Sequence, residues 1–185
     1  MRKTFLVWLA VLTLPASASA QNVTERSWTP PFDVRTYDLP VSSNGVGYRL
    51  FVREPLVEPR DGERPITVYV LDALWNLPAV AALHSNVEFL RKMPPIVFVG
   101  VGYQNENEGF RREANRTRDY TPTTFEPSDP ETHFLRPRDY EGSGGAQAFL
   151  DVLRDEVIPF VEDRFDVDSE TRGIVGKSMG GLLAT

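Results

Sequence analysis

Two stretches of almost unbroken β-branched and aromatic residues dominate the pattern, Pro-Ile-Thr-Val-Tyr-Val-Leu at 65–71 and Pro-Ile-Val-Phe-Val-Gly-Val at 95–101. Runs of this kind are strands buried on both faces, as in a parallel sheet. Between them, Leu77, Val80, Ala81, Leu83, Val87 and Leu90 are interleaved with polar positions over 75–92, which predicts a crossover helix and completes a βαβ unit. Upstream, residues 48–53 alternate and then meet Pro55 and Pro59, the form of an edge strand entering a turn. Residues 21–45 are rich in Ser, Thr, Pro and Asn and contain Pro30-Pro31, so they are read as a leader with at most one early strand. Phe149, Val152, Leu153, Val157, Phe160, Val161 and Phe165 recur at three- and four-residue spacing and predict the clearest helix of the chain. Pro159 falls inside it and predicts a kink or a break into two helices, because it lacks an N–H and clashes with the preceding turn. A short strand at 172–175 then leads into Gly176. The expected fold class is α/β, a doubly wound, mostly parallel sheet.

The strand at 95–101 is followed by a polar segment reaching Tyr140, with four arginines between positions 111 and 118, Arg111, Arg112, Arg116 and Arg118, and four prolines from Pro122 to Pro137. Loops of that length in a compact domain are functional or disordered. The arginines are candidates to grip an anionic or polyphenolic substrate, and equally a solvated loop balanced by Glu106, Glu108, Glu113 and Asp119.

The strand at 172–175 runs into Gly176-Lys177-Ser178-Met179-Gly180, the G-x-S-x-G form of a nucleophile elbow, and Gly181, Leu182, Leu183 and Ala184 open a helix after it. Gly is needed on both sides because the Ser occupies a strained turn where side chains two residues away would meet backbone. Ser178 is the candidate nucleophile and Gly176 and Gly180 its support. The same residues end like a Walker A phosphate loop, but that motif requires a Gly where Thr171 stands. An acyl-transfer oxyanion would take one donor from the Met179 amide and a second from the loop after an earlier strand, at Ala73 or Leu74. Asp72, just before them, has a helix cap as its commoner role. The triad acid and His of an elbow serine follow it in chain order. The two histidines, His84 and His133, precede it, and the chain ends seven residues after Ser178. His84 reads as a helix-surface residue, and a Ser178–His133 dyad would reverse the chain order. The triad His and acid are therefore expected outside these 185 residues. The 185-residue chain by itself is expected to be inactive and poorly soluble, its nucleophile strand left with an unpaired edge.

Composition adds compartment. Arg2 and Lys3, an apolar stretch over 4–14 and Ala18-Ser19-Ala20 form the three parts of a secretory signal peptide, giving residues 1–20 as signal and 21–185 as the expected α/β domain, N-terminal part, that carries the elbow. The apolar run is shorter than the roughly 20 residues a membrane span needs. Loss of two cations moves the formal charge from −6 to −8, which argues against a nucleic-acid partner. With no cysteine there are no disulfides, thiolate metal sites or Cys nucleophiles. Neither a metal nor a cofactor is called for. The expected location is periplasmic or extracellular in a bacterium; sequons at Asn22 and Asn115 would matter only in a eukaryotic secretory pathway.

Gly142-Ser143-Gly144-Gly145-Ala146, the helix through Phe149-Leu150 and Val157-Ile158-Pro159-Phe160, and the segment 172–181 together resemble the enterochelin esterase-like, or esterase D, family of α/β-hydrolases. That family includes siderophore esterases, S-formylglutathione hydrolase and mycolyltransferases. Leu71-Asp72-Ala73 and Arg116-Thr117-Arg118-Asp119-Tyr120-Thr121-Pro122 are most similar to the siderophore-esterase branch. The resemblance covers residues 35–185 and implies a metal-free Ser-His-Asp acyl hydrolase with Ser178 as nucleophile, acting on a small-molecule carboxylic ester, including the lactone esters of siderophores. Members commonly have His where Lys177 stands, a support position rather than the triad His. The alternative from another class is a non-catalytic exported protein that holds an acyl or catechol ligand above Ser178.

Overall fold

The computed structural model describes residues 32–105, 109–124 and 142–185. The signal-peptide segment and His133 lie outside the described residues. Five strands form one sheet in the order β1-β2-β4-β3-β5: β1 (Arg35–Asp38), β2 (Tyr48–Arg53), β3 (Ile66–Leu71), β4 (Ile96–Tyr103) and β5 (Arg172–Val175). β2 pairs antiparallel with both β1 and β4, while β3 pairs parallel with β4 and with β5, so four strands point one way and β2 alone runs against them.

Alternation along each strand divides the core in two. Tyr48, Leu50, Val52, Tyr69, Leu71, Val97, Val99 and Val101 point to one face, where they meet Phe149, Val152, Val157 and Val161 of the helical segment that begins with α3 (Ala146–Val152) and ends with α4 (Ile158–Arg164). Val70, Ile96 and Phe98 point to the other face and pack on Leu77 of α1 (Ala73–Glu88). Helices thus cover both faces, the doubly wound arrangement expected of buried parallel strands. Among the described residues no helix is long and apolar enough to cross a membrane.

Three expectations are corrected. β2 is not an edge strand: β1 pairs with it from Arg35↔Val52 to Asp38↔Arg49, and Pro55 ends the strand rather than marking its side as free. The polar segment after β4 is not loop throughout, because residues 109–120 form α2 (Gly109–Tyr120). Its inward positions Thr117, Asp119 and Tyr120 are buried, so a helix whose anchoring groups are polar shows no hydrophobic stripe. Of the kink or break expected at Pro159, the break into two helices does not occur. A single π-helical turn, Leu153–Val157, joins α3 to α4, and the Ile158 amide reaches back five residues to the Leu153 carbonyl. The wider turn lets the chain pass Pro159 near the start of α4, where its missing N–H costs little. β5 lies at the sheet edge as expected, paired among the described residues with β3 only, and Ile174 and Val175 remain more than a third exposed.

The α1 face carries a buried charge cluster. Arg53 is wholly buried and donates from Nη2 to Glu88 Oε2 at 2.5 Å and to Ser85 Oγ at 3.0 Å, while Glu88 Oε1 accepts the Leu56 amide at 2.7 Å. His84, expected at the helix surface, is instead buried here, edge-on to Phe98 with ring centroids 5.2 Å apart and Nδ1 3.5 Å from Glu88 Oε2. Burial lowers its pKa below the ordinary 6.5, against the opposing pull of Glu88.

Glu88→Ala in the full-length protein is expected to cost about 3–5 kcal/mol in urea unfolding, because Arg53 is left as a buried uncompensated cation. Arg53→Met with Glu88→Leu should recover most of that loss. Because His84 is harder to protonate folded than unfolded, the unfolded chain binds the proton first as pH falls below 6.5. Stability should therefore drop more steeply between pH 7 and pH 5 in the wild type than in His84→Leu, as read by urea midpoints across that range.

Candidate functional site

β3 and β5 run parallel side by side in the register Val70↔Val175, so the chain leaves both strands at neighbouring points of one sheet edge. From β3 it passes through Asp72 into α1; from β5 it passes through Gly176, Lys177 and Ser178 into α5 (Met179–Leu183). This is where ligands gather in open α/β sheets, beyond the carboxyl ends of the strands.

Ser178 has φ 56° and ψ −123°, a conformation costing a non-glycine residue about 1–3 kcal/mol that persists only where the surroundings impose it. The imposing contact is between its flanking glycines. A Cβ on Gly176 would overlap the Gly180 carbonyl, so the strand and the first turn of α5 approach backbone to backbone. Gly180 in turn lies against β3, where an added Cβ would stand 3.4 Å from Leu71 Cβ and 3.4 Å from Asp72 Oδ2. The Gly180 amide donates to Lys177 O and the Leu182 amide to Ser178 O, each at 3.0 Å. Met179 is the first residue of α5, where an amide has no acceptor within the helix.

Asp72 also has a left-handed backbone, φ 54° and ψ 54°. It occupies the N-cap position of α1, but its carboxylate does not cap the helix. The Trp75 and Asn76 amides donate to its carbonyl at 3.0 Å, and Ala73 and Leu74 supply the two preceding amides of the first turn. The Asp72 carboxylate accepts Arg116 Nε at 2.6 Å on Oδ1. Arg116 is held by a second carboxylate, Glu113, at 3.4 Å, and these partners raise its pKa despite the opposing cost of burial.

The arginines of the polar segment therefore divide. Arg118 is committed inward: its Nε donates to Asp119 Oδ1 at 2.7 Å, and Asp119, with no exposed surface, also accepts the Tyr48 hydroxyl at 2.7 Å. Burial and the neighbouring Asp119 push the Tyr48 phenol pKa well up, so it remains a donor. Arg116 reaches the cleft, while the side chains of Arg111 and Arg112 fall outside the described residues. His84 sits on the α1 face among Phe98, Glu88 and Arg53 and lines no part of the cleft.

An open cleft of about 370 Å³ joins these pieces, lined by Asp72, Trp75, Asn76, Glu113, Arg116, Lys177 and Ser178. Trp75 is 68% exposed beside it. The sequence reading did not single out Trp75 or Asn76, and named Tyr120 only within the stretch that carries the family resemblance. Their signal was position, within four residues of Asp72 or of Arg116, and it becomes visible only once β3 and β5 are neighbours.

Residues 45–185 match the family described as "Putative esterase". The chain belongs to that family. It is 29% identical over 141 residues to the ferri-bacillibactin esterase BesA of Bacillus subtilis, a match covering 74% of this chain and 46% of that protein. It is 36% identical over 92 residues to the apo-salmochelin esterase of Escherichia coli, covering 50% of this chain and 27% of that protein. The chain thus spans less than half the length of these curated relatives. Among solved structures, the IroE-like serine hydrolase of Shewanella oneidensis superposes with a TM-score of 0.63 at 26% identity over 82% of this chain and 45% of that one. The fold is that of the α/β-hydrolase siderophore esterases.

Gly176→Ala is expected to prevent the elbow from closing, with a loss of about 3 kcal/mol in thermal or urea unfolding. Gly181→Ala, whose Cβ would meet its nearest neighbour at 3.4 Å, should leave stability within about 0.5 kcal/mol of wild type. Equal behaviour of the two variants would contradict the close approach.

Proposed function

We propose that the protein is an exported serine hydrolase that cleaves carboxylic esters, with siderophore-type lactone esters as its substrate class, through an acyl-enzyme on Ser178. The observation that carries this reading is Ser178 itself, held at positive φ between β5 and α5 and opening into a cleft beside the start of α1. Its hydroxyl attacks the ester carbonyl carbon, the alcohol leaves, and water then releases the acid. The negative charge on the carbonyl oxygen would be met by the amide of Met179 and by that of Ala73 or Leu74, donors fixed by the backbone before the substrate arrives. The dipole of α5 favours charge at the same point.

The relatives' names support the substrate class: bacillibactin and salmochelin esters are what two of them act on. Trp75 on the cleft wall suits an aromatic acyl group, and Lys177 beside it adds a cation. The residue pattern at 1–20 supports export. The general base and the acid that orients it are not assigned to any described residue.

A fluorophosphonate probe on the full-length protein tests the reading. Covalent labelling is expected in the wild type and should be abolished in Ser178→Ala, with hydrolysis of p-nitrophenyl acetate falling by about 10³-fold or more in parallel. A folded full-length protein that is never labelled would instead support a non-catalytic ligand-binding role for the cleft.

A further inference from the structure

Both left-handed residues at this end of the sheet, Asp72 and Ser178, lie at chain corners leaving adjacent strands, but only the Ser178 corner has glycines to ease it. The Asp72 corner is held by α2 instead. Arg116 and Tyr120 are four residues apart and therefore on one helical face. Arg116 Nε donates to Asp72 Oδ1 at 2.6 Å, and the Asp72 amide donates to the Tyr120 hydroxyl at 3.1 Å. The guanidinium also lies over the Tyr120 ring, 5.8 Å from its centroid. Asn76 Nδ2 closes the corner from the other side by donating to Leu71 O at 2.8 Å. The elbow comes close to the same carboxylate, since a Cβ added to Gly180 would stand 3.4 Å from Asp72 Oδ2. Asp72 thus ties the strand end to α2 beside the turn that carries Ser178.

Arg116 lines the cleft, so a direct grip on substrate charge is the competing role. Its surroundings argue against it. Asp72 and Glu113 both approach the guanidinium, and the Arg116 side chain is only 16% exposed, so much of its charge is already answered within the protein.

We propose that Arg116 is a positioning residue for the ester hydrolysis: through Asp72, and together with Tyr120, it holds the β3–α1 corner so that the Ala73 and Leu74 amides keep their aim at the acyl oxygen. This rests on the serine-esterase reading. Positioning acts on every ester, neutral or charged, whereas a charge grip would favour anionic ones.

The test is made on the full-length protein with Arg116→Met, Arg116→Lys and Tyr120→Phe, using p-nitrophenyl acetate and the anionic mono-p-nitrophenyl succinate. A displacement of about 1 Å in a catalytic group costs up to roughly 100-fold. Arg116→Met is therefore expected to lower kcat about 10- to 100-fold on both esters with KM changed less than about threefold. Arg116→Lys, which keeps a charge for Asp72, should restore part of the rate. Tyr120→Phe should fall between Arg116→Met and wild type. Amide hydrogen exchange of residues 72–76 should accelerate in Arg116→Met while that of β4 stays unchanged. This second readout does not require activity, so it separates the two ideas. If the wild type hydrolyses neither ester but the exchange changes as expected, the esterase reading fails and the hold on the corner stands as structure only, which overturns the catalytic inference. A rise in KM confined to the succinate ester, with kcat and exchange unaltered, overturns it in favour of a substrate grip.

Discussion

The backbone approach between Gly176 and Gly180 is the constraint on which this end of the molecule depends. With no Cβ on Gly176, β5 can turn sharply enough for α5 to begin three residues later, and Ser178 is forced into a left-handed conformation at the apex. The strain of one residue, about 1–3 kcal/mol, is small against the packing that imposes it. A Cβ added to Gly180 would stand 3.4 Å from Leu71 Cβ and from Asp72 Oδ2, so the elbow turns close to the end of β3. That proximity brings two separate chain corners to one cleft.

The two faces of the sheet do different work. The α1 face buries an Arg53–Glu88 ion pair and His84 remote from the cleft, a cluster whose removal bears on stability and pH response. The other face carries a polar lattice that runs from Tyr48 through Asp119 to Arg118, and from Tyr120 through Asp72 to Arg116. Buried polar groups of this kind hold a unique arrangement only when their partners are satisfied. Here α2 supplies both branches, which is why a helix with so little apolar surface still docks.

The strands were legible where their residues are apolar by necessity. β3 and β4 were read to within two residues, since a strand covered on both faces must be hydrophobic throughout, and β5 was placed by the glycine-flanked turn that follows it. The elbow was legible because its steric requirement leaves Gly no substitute. β2 was misplaced at the edge because local prolines say where a strand ends and nothing about what pairs with it. α2 was missed in part because its buried positions, Thr117, Asp119 and Tyr120, look from the sequence like those of a solvated loop.

The sequence by itself determined the βαβ core, the serine at a glycine-flanked turn, and membership of a family whose named relatives hydrolyse siderophore esters, because each depends on residue types at fixed local spacing. Only the tertiary structure decided that Asp72 serves as an anchor rather than a cap, that Arg118 is spent on the core while Arg116 reaches the cleft, and that His84 lies far from the serine's surroundings. Asp72 and Arg116 are 44 positions apart, and the Asp119 that holds Arg118 is itself fixed by Tyr48, 71 positions away, so no local pattern records which charge will find which partner once the strands have paired.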